Sequence, residues 1–114
     1  MNRYPVSPRV AKEFSRDFLR ALLSENFLEV REEGEFLHAS FGALRDLKVG
    51  IEPGPTRRAP RLLVETVMDP QVPGEMQAET IRRYNRFLEG ATGYTSKERA
   101  KRLQAEAKKG APGA

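Results

Sequence analysis

The sequence predicts an α+β domain in which one helix, a four-stranded antiparallel meander and two further helices follow one another. Apolar residues recur every three or four positions near both ends of the chain, the period of a helix, and alternate in four segments between them, the period of a strand. The connections between these segments are too short for crossover helices, which favours antiparallel pairing. With 114 residues the chain suits one core. We expect the helices to cover one face of the sheet, as a two-layer sandwich.

Ser7 and Pro8 suit the N-cap and the first position of the first helix. Helical spacing then continues to about residue 25, which predicts one continuous helix over residues 8–25. Its main apolar face includes Phe14 and Phe18, and basic and acidic residues lie opposite. Leu19 and Leu23 depart from this pattern, because they lie on the side of the charged residues.

The four predicted strands cover residues 28–31, Phe36–Phe41, residues 47–51 and Arg61–Met68. Polar residues around Gly34 make the first turn, and residues 42–45 make the second. Residues 53–60 contain three prolines and one glycine, which exclude regular structure. We therefore expect an irregular loop before the fourth strand.

Ile81, Tyr84 and Leu88 repeat at helical spacing and predict the second helix, which Gly90 would end as a left-handed residue. Thr95 and Glu98 match the capping box, so a third helix should begin there and continue to about residue 109. We accordingly divide the chain into a domain of residues 1–96 and a basic helix with a frayed end, residues 97–114.

All of the excess positive charge belongs to that last segment. After residue 96 there are six lysines and arginines and two glutamates, an excess that equals the formal net charge of +4. A neutral body with a basic appendage indicates an acidic partner, nucleic acid first. The alternative is a solvated helix that stays polar for solubility. The expected phosphate contacts are Lys97, Arg99, Lys101, Arg102 and Lys108, helped by Arg57 and Arg58 of the proline-rich loop.

Other function classes have little support. The chain has no cysteine, which excludes disulfides, thiolate zinc sites and iron–sulfur clusters. His38 is the only histidine, and with Ser40 nearby it completes neither a metal site nor a catalytic triad. We therefore expect no enzyme activity, cofactor or metal. Without an apolar span or a signal peptide we expect a cytoplasmic protein, and the high charge content is typical of thermophiles.

Two further hypotheses concern contacts outside the basic helix. Leu19 and Leu23, with Phe36 of the sheet, form an exposed patch for a homodimer in one interpretation, together with a sheet edge. In the other, the first helix is covered on two sides and these leucines are core. A pocket for a small ligand between sheet and helices is also possible, although nothing marks its chemistry. For Asn85 we favour a structural role at the turn over residues 92–95.

Four segments of the sequence resemble a small uncharacterised archaeal family. They are IRRYNRFLE (residues 81–89), TGYT (92–95), KER (97–99) and FGAL (41–44). Members of that family have about this length and end in a similar turn and basic helix. The resemblance implies an archaeal, cytoplasmic protein in which the 92–95 turn is used by the fold. It implies no activity and no catalytic residue.

Overall fold

The structure is a computed structural model. It describes residues 1–53 and 60–110, apart from the side chains of Leu103 and residues 105–110. The chain is an α+β protein with a five-stranded antiparallel sheet in the order β1-β5-β4-β3-β2. In chain order the elements are β1 (Asn2–Pro5), α1 (Pro8–Ala11), α2 (Arg16–Asn26), β2 (Leu28–Glu33), β3 (Phe36–Phe41), β4 (Leu44–Glu52), β5 (Arg61–Met68), α3 (Gly74–Thr92) and α4 (Ser96–Gly110).

The four predicted strands are confirmed as β2 to β5, but the strand count is wrong because β1 precedes them. β1 pairs with β5, from Asn2 opposite Val64 to Pro5 opposite Arg61. Only four residues long, β1 is too short to show an alternating pattern. It contains Pro5, which lacks an N–H group and is tolerated in a strand that borders a sheet.

The predicted first helix is also wrong, because it is broken into α1 and α2. Ser15 has an extended backbone, and its hydroxyl accepts a hydrogen bond from the N–H of Phe18 at 3.2 Å. This N-cap starts a new helix after a short irregular stretch. The phenylalanines on either side of Ser15 still contact each other, with 6.4 Å between the ring centroids of Phe14 and Phe18. The helical spacing of apolar residues therefore continues across the irregular stretch between α1 and α2.

The hydrophobic core combines side chains of α2 and α3 with alternate residues of the central strands. Leu19 and Leu23 are 1% and 0% exposed and belong to it, so the exposed patch predicted for them does not form. The second interpretation, a helix covered on two sides, describes them correctly. The buried members of the core are Val6, Leu19, Leu23, Phe27, Leu37, Ala39, Leu44, Leu47, Val49, Leu62, Val64, Phe87, Leu88 and Ala91.

α3 continues past Gly90, contrary to the sequence prediction. The helix ends at Gly93, whose φ of 77° suits glycine and whose N–H donates to the carbonyl of Glu89 at 2.8 Å. Gly90 instead allows α2 and α3 to approach, since a Cβ there would lie 3.1 Å from Leu22. The buried face of α3 also differs from the predicted stripe: Phe87 is fully buried, whereas Ile81 is 50% exposed.

Among the described residues, no helix is both long and apolar enough to cross a bilayer. The nine-residue β4 is the longest strand. It lies at the centre of the sheet and pairs with β3 and β5. The helix α4 contacts β1, at the opposite side of the sheet from β2. This placement brings the basic helix against the N-terminal strand.

Candidate nucleic-acid interface

The start of α4 is fixed by the predicted capping box, which is confirmed. The N–H of Thr95 donates to a carboxylate oxygen of Glu98 at 3.1 Å, and the N–H of Glu98 donates to the hydroxyl of Thr95 at 3.3 Å. These two hydrogen bonds satisfy donors that a helix start leaves without partners. The same contacts, the backbone N–H of Thr95 first, lower the pKa of Glu98 below its ordinary value.

The turn before α4 is tied to the N-terminal part of the chain. The N–H of Ser7 donates to the carbonyl of Thr92 at 2.7 Å, and the guanidinium of Arg9 donates to the carbonyl of Gly93 at 2.9 Å. The hydroxyl of Thr92 accepts the N–H of Tyr94 at 3.2 Å. The turn that the family resemblance pointed to is therefore a structural junction between α3, α4 and the start of the chain.

Arg99 is buried rather than presented to solvent, with an exposed fraction of 4%. Its guanidinium donates to the carbonyl of Tyr94 at 2.7 Å, and to Ser96 Oγ and Asn85 Oδ1 at 3.1 and 3.4 Å. Burial lowers the pKa of Arg99, but an arginine stays protonated in proteins. Arg99 is thus not available to a phosphate, contrary to the sequence prediction. Asn85 has a structural role, which it exerts through Arg99.

The position of Arg99 in the helical pattern indicates its burial, although the net charge of the segment does not. Arg99 precedes Leu103 by four residues, so both lie on one side of the helix. Lys97 and Lys101, also four residues apart, follow a different row of the same helix. A basic residue aligned with the apolar row is a candidate for a buried anchor, whereas one aligned with the lysine row is a candidate for a surface contact.

The other described cations of α4 are exposed. Within the part of the chain that the structure describes, Lys97, Lys101 and Arg102 form no ion pair, and the guanidinium of Arg102 lies 5.0 Å from the ring centroid of Tyr94. Lys97 and Lys101 are one turn apart, about 6 Å along the helix axis. The backbone of Lys108 continues this helix, but its side chain lies outside the described residues, as do Arg57 and Arg58 entirely.

Phe36 lies apart from Leu19 and Leu23. Its neighbour in β3, Leu37, belongs to the core, so Phe36 points to the other face of the sheet. There the ammonium of Lys48 lies 4.3 Å from its ring centroid, and the ring packs against Gly50, where a Cβ would come within 2.8 Å. The structure therefore does not bring the three predicted interface residues together.

His38 lies on the same sheet face and is held by acidic neighbours. Its Nδ1 is 2.9 Å from a carboxylate oxygen of Asp46, and its Nε2 is 3.5 Å from one of Glu33. The side chain is 12% exposed. No cluster of three or more potential metal ligands occurs in residues 1–53 and 60–110. The interpretation of His38 as a histidine satisfied by its neighbours agrees with these contacts.

Comparisons with known proteins identify the family and give no activity. Searches among functionally described proteins and among solved structures found no match. A family model with the description "Domain of unknown function (DUF5611)" matches residues 1–105, which include both the capping box and Arg99. The prediction that the chain belongs to an uncharacterised family is thus confirmed. The chain belongs to the DUF5611 family.

Proposed function

We propose that this protein is a non-enzymatic nucleic-acid-binding protein that contacts the phosphate backbone through α4. The observation that supports the proposal is that Lys97, Lys101 and Arg102 are exposed and form no ion pair with any residue that the structure describes. Phosphate contacts by lysine and arginine supply most of the affinity of non-specific binding. As part of this proposal we keep the archaeal cytoplasm, at high temperature, as the setting.

The attachment of α4 to the rest of the protein favours phosphate binding by this helix. Arg99 links α4 to Asn85 of α3, and α4 contacts β1, so the lysines are presented from a fixed surface. A preorganised surface loses less conformational entropy on binding than a mobile tail. Tyr94 is only 8% exposed and offers no ring for base stacking. We therefore expect binding that depends on charge and is nearly independent of sequence.

We expect the triple variant Lys97→Gln, Lys101→Gln and Arg102→Gln to bind labelled RNA and DNA oligonucleotides more weakly than the wild type, by more than about tenfold at 200 mM salt and by a larger factor at 50 mM. The wild type should show a slope of log affinity against log salt near −2.7 on duplex DNA, because three neutralised phosphates contribute about −0.9 each. Fluorescence anisotropy between 50 and 200 mM salt measures both quantities, and the slope of the triple variant should be clearly shallower than that of the wild type.

The control is a second triple variant, Lys12→Gln, Arg45→Gln and Arg86→Gln. These three residues are exposed, and no ion pair involves them among the described residues, so the variant loses the same charge elsewhere. If both triple variants lose affinity equally, attraction to net charge explains binding and the proposal for α4 fails. Substitution is preferable to truncation at residue 97, because truncation also removes Arg99.

Self-association through the edge of β5 is a second candidate function. β1 pairs with β5 only as far as Val64, and no other described strand pairs with β5 on that side. Beyond Val64 the edge carries Val67 and Met68, which are 52% and 44% exposed. The β2 edge differs, because it has an irregular register after Leu28 and several charged residues. Bulges and charges are the features that protect edges from pairing.

We expect Val67→Lys to convert a dimer into a monomer, since a lysine opposes edge-to-edge pairing. Sedimentation velocity at protein concentrations up to about 100 µM measures the change. Leu28→Lys, at a residue 63% exposed on β2, is the matched control and should leave the dimer intact. A wild type that stays monomeric over this range would rule out self-association.

A further inference from the structure

An apolar groove opens beside the C-terminal half of β5, between that strand and α3. Its volume is about 290 Å³. Ile81 in its wall is 50% exposed, and Thr66 in its floor is exposed although it alternates with the core residues of β5. The residues that line the groove include Leu44, Thr66 and Met68 of the sheet and Ile81, Tyr84 and Asn85 of α3.

The strand β1 shows how an extended segment occupies this side of β5. Tyr4 lies opposite Leu62 and packs against the core from the helix-covered face of the sheet. The pairing stops at Asn2, opposite Val64, and the groove lies beyond that point. Because paired residues of neighbouring strands point to the same face, a strand added after Val64 would direct alternate side chains toward the groove.

Two copies of β5 can form such a pair in one register. Paired residues share a face, so an antiparallel pair about a two-fold axis must place one residue opposite its own copy. A central residue before Val67 would bring the second copy opposite Val64, where Asn2 already lies. Met68 as the central residue would extend the pairing beyond the end of β5. Val67 avoids both conflicts, and it places Thr66 of each copy opposite Met68 of the other.

We propose that two copies of the chain pair through β5 with Val67 on the two-fold axis, and that Met68 of each copy lies in the groove of the other. The inference rests on the self-association proposed above and adds its register and the side chain that fills the groove. Thr66 is short, so the long and flexible methionine opposite it has room to reach Ile81.

A second copy fits this surface because the contact is complementary to itself. Val67 and Met68 are exposed on opposite faces of the sheet, and the two-fold pairing covers both at once. Val67 meets its own copy on the open face, and Met68 is both the side chain that one copy offers and part of the groove that receives it. The two five-stranded sheets then form one continuous sheet.

The same register has an unfavourable pair that makes it testable. Glu65 of each copy lies opposite Asp69 of the other, and like charges directly opposite each other destabilise strand pairing. The shared segment is also short, so we expect a weak dimer. Asp69→Asn removes the repulsion and keeps the acceptor for the N–H of Gln71, which lies 3.0 Å from Asp69 Oδ1. This variant should dimerise about fivefold more tightly.

The experiment uses single cysteines, because the chain has none of its own. In the proposed register the two Cα atoms at position 67 are about 4.5 to 5.5 Å apart, within the range of a disulfide. Val67→Cys should therefore form a disulfide-linked dimer under mild oxidation, measured by non-reducing gel electrophoresis. Glu65→Cys is the control on the same strand, since its copies are about 13 Å apart along β5, and Leu28→Cys is the control on the β2 edge. Neither should form a linked dimer.

A second measurement tests whether Met68 fills the groove. Met68→Ala should weaken the dimer about tenfold in sedimentation velocity. Met76→Ala is the matched control, because Met76 is 40% exposed against 44% for Met68 and lies in the first turn of α3. It should change the dissociation constant less than about twofold.

The outcomes separate the inference from the self-association on which it rests. A monomeric wild type together with no disulfide in Val67→Cys would rule out pairing through β5 altogether. A dimer that links equally well through Val67→Cys, Glu65→Cys and Leu28→Cys would overturn the register. A dimer that Met68→Ala leaves unchanged would overturn the placement of Met68. In these last two cases self-association itself would stand.

Discussion

Replacement of Arg99 by alanine is expected to lower the free energy of unfolding by about 3 kcal/mol. The substitution removes the guanidinium donor from the carbonyl of Tyr94 and the side chain of Asn85, in a region where Arg99 itself is only 4% exposed. It also opens a cavity beside Tyr4 and Tyr84, the tyrosines that influence the pKa of Arg99. Unsatisfied polar groups and lost packing add to each other.

Thermal unfolding followed by circular dichroism should show a decrease in Tm of about 10 °C for Arg99→Ala, and urea unfolding measures the free energy itself. Lys101→Ala is the matched control on the exposed side of the same helix and should change the free energy by less than about 0.5 kcal/mol. An intermediate loss is expected for Arg99→Lys, because an ammonium cannot reproduce the donor geometry of the guanidinium. Equal stabilities for Arg99→Ala and Lys101→Ala would mean that Arg99 is a surface residue.

The surroundings of Arg99 also include a tyrosine, Tyr84, that stays neutral. Burial, followed by the neighbouring Tyr4, raises the pKa of Tyr84 far above its ordinary value, so the phenol stays neutral. No carboxylate forms an ion pair with Arg99 among the described residues. Its charge is stabilised by the carbonyl, hydroxyl and amide oxygens that it contacts and, without direct contact, by the carboxylate of Glu89. A buried charge without a counter-ion depends on every one of its hydrogen bonds.

The parts of the fold that the sequence predicts are those encoded by short-range periodicity. β3, β4 and β5 have clear alternation or β-branched residues, and their connections are short enough to specify antiparallel neighbours. The capping box at Thr95 and Glu98 is equally local, because both hydrogen bonds join residues three positions apart. Local patterns suffice where the structural cause is itself local.

The parts that sequence reasoning missed depend on contacts between distant segments. β1 is a strand because β5, about sixty residues later, offers an edge. Gly90 and Gly93 are both plausible helix ends by composition, and the choice between them depends on the packing of Leu22 against α3. The break at Ser15 is hidden because apolar spacing continues through it.

Leu23→Ala is expected to cost about 3 to 4 kcal/mol, the usual loss when a fully buried leucine is truncated in a core that relaxes only partly. Leu23 is 0% exposed and belongs to the same hydrophobic cluster as Phe87. The structure therefore predicts an effect on folding and none on subunit contacts. Urea unfolding and sedimentation velocity of the same sample separate these two effects.

Leu28→Ala is the control for this substitution, because Leu28 has the same side chain and is 63% exposed. It should change the free energy of unfolding by less than about 0.5 kcal/mol. Unchanged stability of Leu23→Ala together with loss of a dimer would restore the exposed-patch interpretation of α2. A large loss of stability with an unchanged oligomeric state would exclude Leu23 from any subunit contact, and Leu19, the other leucine of that patch, is buried in the same core.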